Sequence, residues 1–195
     1  MLASITPLGE RGRQSHWTVT VAAFALGATA AGAVAGALLG ALGMLLPGGL
    51  TGHARTVVVA LALIAALALD LSATTVPGPR RQVDERWLDR YRGWVYGLGF
   101  GSQLGLGVVT VITSAATYVV PLCALASGHP VTGAAIMGLY GALRGLTPLL
   151  AAGVRKPQHL MALHARLRGA DAATARAGAA VLAVAGTLGL VAGLS

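Results

Sequence analysis

Five long apolar stretches alternate with short polar segments along this chain. They cover about residues 17–46, 56–76, 94–125, 131–154 and 176–194. About 20 apolar residues are enough for an α-helix to cross a bilayer. The second, fourth and fifth stretches have that length, whereas the first and third exceed it and must tilt, bend or extend beyond the bilayer. The pattern predicts an all-α polytopic membrane protein whose five transmembrane helices form a single domain over residues 17–195.

The basic residues predict the orientation of these helices. Twelve of the fourteen Lys and Arg residues lie in the N-terminal segment 1–16 and in or beside two loops, 77–93 and 155–175. Arg55 is the one basic residue of the alternate segments, and Arg144 lies within the fourth span. Because basic loops stay in the cytoplasm, we expect a multi-pass protein of the cytoplasmic (plasma) membrane, with its N-terminus inside and its C-terminus outside.

Composition agrees with a membrane bundle. Residues are 55% hydrophobic and 10% charged, against about 25% charged in a soluble domain. The basic residues behind the net charge of +8 lie beside the apolar spans, where they can contact anionic lipid. We therefore expect the lipid bilayer as a partner, and no nucleic acid. The single cysteine, Cys123, excludes an intrachain disulfide and a CxxC motif.

Glycines recur at four-residue spacing within the spans. They are Gly32, Gly36 and Gly40, then Gly93, Gly97, Gly101 and Gly105, then Gly141 and Gly145. This spacing forms a groove on one helix face that a neighbouring helix can fill, so a glycine-rich packed bundle is the first interpretation. The alternative is functional: Gly101, Gly105 and Gly107 would let the third helix bend inside the membrane, where transport sites often lie.

Polar residues also follow one face of the third stretch. Gln103, Thr110, Ser114 and Thr117 are separated by seven, four and three residues. Since polar groups in lipid need partners, this stripe faces the bundle or a wet cavity. It is a candidate pathway for a solute or ion, and inert packing is the alternative.

Two ionisable residues lie within predicted spans, Asp70 near the end of the second and Arg144 in the fourth. Both fall in the cytoplasmic half of the bilayer, where an isolated charge costs several kcal/mol. We hypothesise an intramembrane ion pair between them. The alternative is an interfacial aspartate and an arginine that extends to the membrane surface.

Residues 157–168 have a helical pattern of their own. Leu160, Leu163 and Leu167 recur at helical spacing, with arginines on the other side. The pattern suits a short helix on the cytoplasmic membrane surface, or a connector helix packed under the bundle.

No catalytic set is visible in the sequence. His159 and His164 are five residues apart, off the four-residue spacing that places two metal ligands on one helical face. There is no Ser–His–Asp arrangement, phosphate loop or carboxylate pair. We expect no metal site, no cofactor and no enzymatic activity.

Three segments carry a resemblance to a known family. The sequence Tyr-Gly-Leu-Gly-Phe-Gly at 96–101 and the run from Gly133 to Leu150 resemble the second half of the cytochrome c biogenesis and thiol–disulfide interchange transmembrane proteins (CcdA/DsbD-like). Residues 24–70 look like that family's second and third helices. The resemblance implies a reduced version of a six-helix fold that lacks the first helix, which leaves five helices with the N-terminus inside.

The departures from the family remove its activity. The family's two redox cysteines have no counterparts in this sequence: the resemblance implies that the helix carrying the first one is missing, and the second position falls near Gly105–Gly107. Cys123 is about sixteen residues away. The resemblance therefore transfers a fold. Our leading hypothesis is a bundle that moves a small solute or ion, and the alternative is a non-catalytic subunit or assembly partner of a larger complex, with a membrane protein or a second copy as its partner.

Overall fold

The computed structural model describes residues 5–12, 15–45, 52–72, 90–107 and 114–194, and the regular secondary structure of these residues is entirely helical. The helices are α1 (Pro7–Gly12), α2 (Trp17–Met44), α3 (Gly52–Leu71), α4 (Gly93–Gly105), α5 (Ala116–Ser127), α6 (Pro130–Gly145), a 3₁₀ helix (Thr147–Ala151) and α7 (Pro157–Leu194). Thr110 and most of the predicted loop 77–93 lie outside the described residues.

Four helical segments of the described chain are long and apolar enough to cross a membrane. They are Trp17–Met44, Gly52–Leu71, Pro130–Ala151 and Pro157–Gly193. Large apolar side chains on them point outward, such as Leu26, which is 67% exposed, and Val131, which is 71% exposed. In water such surfaces would be costly, whereas lipid solvates them. The structure thus supports the predicted helical membrane protein.

The third apolar stretch differs from the single long span predicted for it. Helix α4 ends at Gly105, α5 begins at Ala116, and Gly107 between them adopts φ 76°, a conformation that interrupts a helix and favours glycine. At 1.5 Å per residue the 12 residues of α5 extend about 18 Å, short of a bilayer core of about 30 Å. The interruption follows the glycines that predicted a bend. Four candidate spans lie within the described residues, and the count of five stays a prediction.

The last helix also differs from the prediction. Residues 155–175 were expected to form a cytoplasmic loop before a span at 176–194, but α7 is one helix from Pro157 to Leu194. At 1.5 Å per residue its 38 residues extend about 57 Å. The helix continues because no proline or left-handed glycine interrupts it, and Gly169 and Gly178 are tolerated within it at a modest cost.

Helix α2 is the centre of one packed group, against which α4 and α6 lie. Its glycines face backbone atoms: a Cβ added at Gly36 would overlap the carbonyl oxygen of Gly133, and one at Gly27 that of Leu98. Helices α3 and α7 form a second pair, and α5 contacts both groups. The glycine faces of α2 and α4 are therefore filled within the chain, and are not open grooves for a partner.

Candidate functional site

Asp70 lies at the interruption between α4 and α5. Its carboxylate accepts hydrogen bonds from the Ser114 hydroxyl, at 2.6 Å, and from the Ala115 amide, at 2.7 Å. Ala115 immediately precedes α5, so a side chain from α3 satisfies one of the amides that a helix start leaves without an intrahelical partner. The negative charge also complements the positive end of the α5 dipole. Asp70 thus anchors the start of α5.

Arg144 has its own partner on α6. Its guanidinium donates to the Tyr140 hydroxyl, at 2.5 Å, and lies over the Tyr140 ring, 5.3 Å from the centroid. A cation over an aromatic face is favourable in a desolvated setting. Asp70 is thus hydrogen-bonded across elements to Ser114 and Ala115, and Arg144 is hydrogen-bonded within α6 to Tyr140. The ion pair between Asp70 and Arg144 stays a prediction.

The predicted polar stripe is divided by the interruption. Gln103 is half-buried on α4, whereas Ser114 and Thr117 are half-buried at the start of α5. Ser114 is engaged with Asp70 and also accepts from the Ala116 amide, at 3.2 Å. These residues therefore do not share one face of one helix, and whether they line a route stays a prediction.

The structure reveals a buried carboxylate that the sequence analysis did not single out. Glu10 on α1 is fully buried, at 0% exposure, and accepts hydrogen bonds from the Tyr96 hydroxyl and, at 3.0 Å, from the Thr20 hydroxyl. The Leu8 amide donates to the Val154 carbonyl, at 3.2 Å. The N-terminal segment is thereby tied to α2, α4 and the chain after α6. Because Tyr96 is 86 residues away in sequence, no local pattern indicated this cluster.

The first half of α7, residues 157–177, is exposed on nearly all sides, and we call it the α7 extension. Among the elements of the described chain, the extensive contacts of α7 are with α3, and they involve its second half, where Gly186 and Gly193 lie against Ile64 and Val57. In the extension, Leu160, Leu163 and Leu167 form a half-buried stripe and Met161, on another face, is 75% exposed. The α7 extension does not pack under the described bundle, and it continues without a break into the apolar second half of α7.

The histidines of the described chain do not gather into a cluster: no group of three or more His, Cys, Asp or Glu residues there could hold a metal ion. His159 instead contacts the Gly153 carbonyl oxygen through Nδ1, at 3.0 Å.

Comparison with known proteins gives one informative likeness. No family model and no solved structure matches the chain. The chain is similar to the methylamine utilization protein MauF of Paracoccus versutus, with 29% identity over 145 residues. The match covers 71% of this chain and 52% of the relative, so the chain spans about half the length of that protein.

Proposed function

We propose that this chain is a non-catalytic, membrane-embedded subunit that recruits a partner protein, and that it acts in methylamine utilization. The observation that carries the proposal is the α7 extension. It is a helix with an apolar stripe and basic residues, contiguous with a segment long and apolar enough to cross a membrane. Among the described elements, the extensive contacts of α7 are with α3 and involve the second half of the helix.

The α7 extension carries an apolar stripe that packing against another surface would stabilise. Most helical stability in proteins comes from packing an apolar face against other structure. The stripe of Leu160, Leu163 and Leu167 is such a face. A protein surface with a matching groove would bury it in the helix-in-groove mode. The membrane surface is the alternative binding partner for the stripe, but the extension continues the helix of a segment long enough to cross a membrane, which favours a position beyond the bilayer.

The relative supports the biological setting. MauF carries methylamine utilization in its name. The likeness covers most of this chain, and we extend the setting, without any particular activity, to this protein.

Growth tests this proposal. A strain that lacks this gene should fail to grow on methylamine as its sole nitrogen or carbon source, and the wild-type gene should restore growth. Leu163→Glu should fail to restore growth at normal protein abundance, because it places a charge in the apolar stripe. Met161→Glu, which puts the same charge on another face of the same helix, should restore growth. Normal growth of the deletion strain or of Leu163→Glu would contradict the proposal.

A second candidate function is movement of a small cation, and the interruption between α4 and α5 favours it. Transporters place binding sites at broken helices, and here an Asp70 carboxylate lies at the break. Methylammonium uptake into proteoliposomes tests this function. If Asp70 binds the cation, Asp70→Asn should abolish uptake, and Gln103→Leu and Thr110→Val should reduce it. The exposed Asp171→Asn is the control and should not change it. Uptake equal to that of empty liposomes would exclude this function for the isolated chain.

A further inference from the structure

A cavity of about 340 Å³ opens between α3, α5 and α7. It is within the size range of small-ligand sites in proteins. Its walls are mostly apolar, with Val59 and Leu63 from α3 and Ala185 and Gly189 from α7. Its charged wall residue is Arg55, close to the start of α3. The cavity therefore has a cationic end and an apolar interior.

The cavity runs along α3 from a charged end to apolar walls, and a bilayer changes in the same order from its surface to its core. Arg55 lies three residues after the first residue of α3, near the end of a segment that is long enough to cross a membrane. Leu63 is two turns further along, about 12 Å deeper at 1.5 Å per residue. The cationic end thus falls at the height of lipid headgroups and the apolar walls at the height of acyl chains.

The guanidinium of Arg55 is held in place at this end. It donates to the Ser127 carbonyl, at 3.2 Å, at the C-terminus of α5, and it lies against Gly128, where an added Cβ would be 2.9 Å from Nη2. A cation there is favoured by the negative end of the α5 dipole. A guanidinium has five N–H donors, so this bond leaves donor capacity for an anion.

We propose that this cavity binds an anionic phospholipid, with its phosphate at Arg55 and an acyl chain along Val59 and Leu63. Lipid is the occupant because the surrounding faces of α3 and α7 carry exposed apolar residues, including Leu61 at 53% and Leu188 at 64% exposure. Selectivity for an anionic headgroup comes from the single cation. The site is independent of the proposed partner recruitment, since it uses the second half of α7 and not the α7 extension.

Native mass spectrometry of the purified full-length chain in mild detergent tests the site. We expect phosphatidylglycerol to bind about fivefold more tightly than phosphatidylcholine with the same acyl chains, the ratio that one basic residue near an anionic surface provides. Arg55→Gln should remove this preference. Arg155→Gln, which removes an exposed arginine elsewhere, should leave it unchanged.

A second pair of variants tests the apolar part of the cavity without removing the charge. Ala185→Phe fills the cavity and should weaken binding of both lipids. Ala180→Phe, at an exposed position of the same helix, should not. Equal affinity for the two lipids, equal effects of the two arginine variants, equal effects of the two phenylalanine variants, or displacement of the lipid by inorganic phosphate alone would each overturn the proposal.

Discussion

Two glycines of α4 hold it against the backbone of α2. A Cβ added at Gly101 or Gly105 would overlap the carbonyl oxygens of Phe24 and Ala28 respectively. Because these atoms belong to a helical backbone, they cannot move aside as a flexible side chain can. The close approach gains dispersion contacts that larger residues would prevent. The four-residue glycine spacing in the sequence thus corresponds to a real helix contact, although the sequence could not say which helix fills it.

Alanine at either glycine should therefore destabilise the protein. We expect Gly101→Ala and Gly105→Ala to lower the free energy of unfolding by about 1–3 kcal/mol, the usual cost of overpacking. A Cβ added at Gly178 on α7 would have no atom within 4 Å, so Gly178→Ala should raise that free energy by up to about 1 kcal/mol through helix propensity. Unfolding by denaturant in mixed micelles, followed by circular dichroism, measures both.

Glu10 is the second residue whose role depends on tertiary structure. Replacing it with alanine removes the buried carboxylate that accepts from the Tyr96 and Thr20 hydroxyls, and the loss of such an acceptor costs about 1–3 kcal/mol. The N-terminal segment should then detach more often, and trypsin should cleave after Arg11 faster than in the wild-type protein. Asp171→Asn, at an exposed position, is the control. An unchanged cleavage rate in Glu10→Ala would show that this cluster does not hold the segment.

At the level of elements, sequence and structure agree best where the hydrophobic run is uninterrupted. Helices α2 and α3 lie close to the ranges predicted for the first two spans, whereas the third stretch is divided and the last is extended. The apolar character of a stretch cannot distinguish a long helix from two short ones when glycines allow both, and the division is stabilised by Asp70 from another helix. Similarly, charged residues in 155–175 predicted a loop, but helix propensity continues through them.

The start of α5 offers a test that distinguishes capping from ion pairing at Asp70. If the main role of the Asp70 carboxylate is to accept hydrogen bonds from Ser114 and Ala115, Asp70→Ala should destabilise the protein by about 0.5–2 kcal/mol, the usual cost of losing a helix cap. Asp70→Asn should destabilise it by less. The charge-swapped double variant, Asp70→Arg with Arg144→Asp, should not restore stability. Restored expression and stability in that double variant would instead support the predicted ion pair.

At the level of the whole molecule, the described chain consists of the α2, α4 and α6 group and the α3 and α7 pair, joined by α5. Its outer surface suits lipid, which supports a membrane protein without fixing its orientation. The charge distribution still predicts an inside N-terminus. Membership of the CcdA/DsbD-like family also stays a prediction, because no family model matches the chain. The glycine and alanine patterns that carry the resemblance are those of closely packed helices in general.

We propose that α7 crosses the membrane and presents its extension to a partner in the cytoplasm. Single cysteines introduced in a Cys123→Ser background, at native expression level, test it with a membrane-impermeant maleimide. We expect Ala165→Cys to be labelled in inverted vesicles and not in intact cells. Leu163→Cys, within the apolar stripe, should be labelled only after purification in detergent removes the partner. Labelling of Ala165→Cys in intact cells, or equal labelling of both positions in inverted vesicles, would contradict the claim.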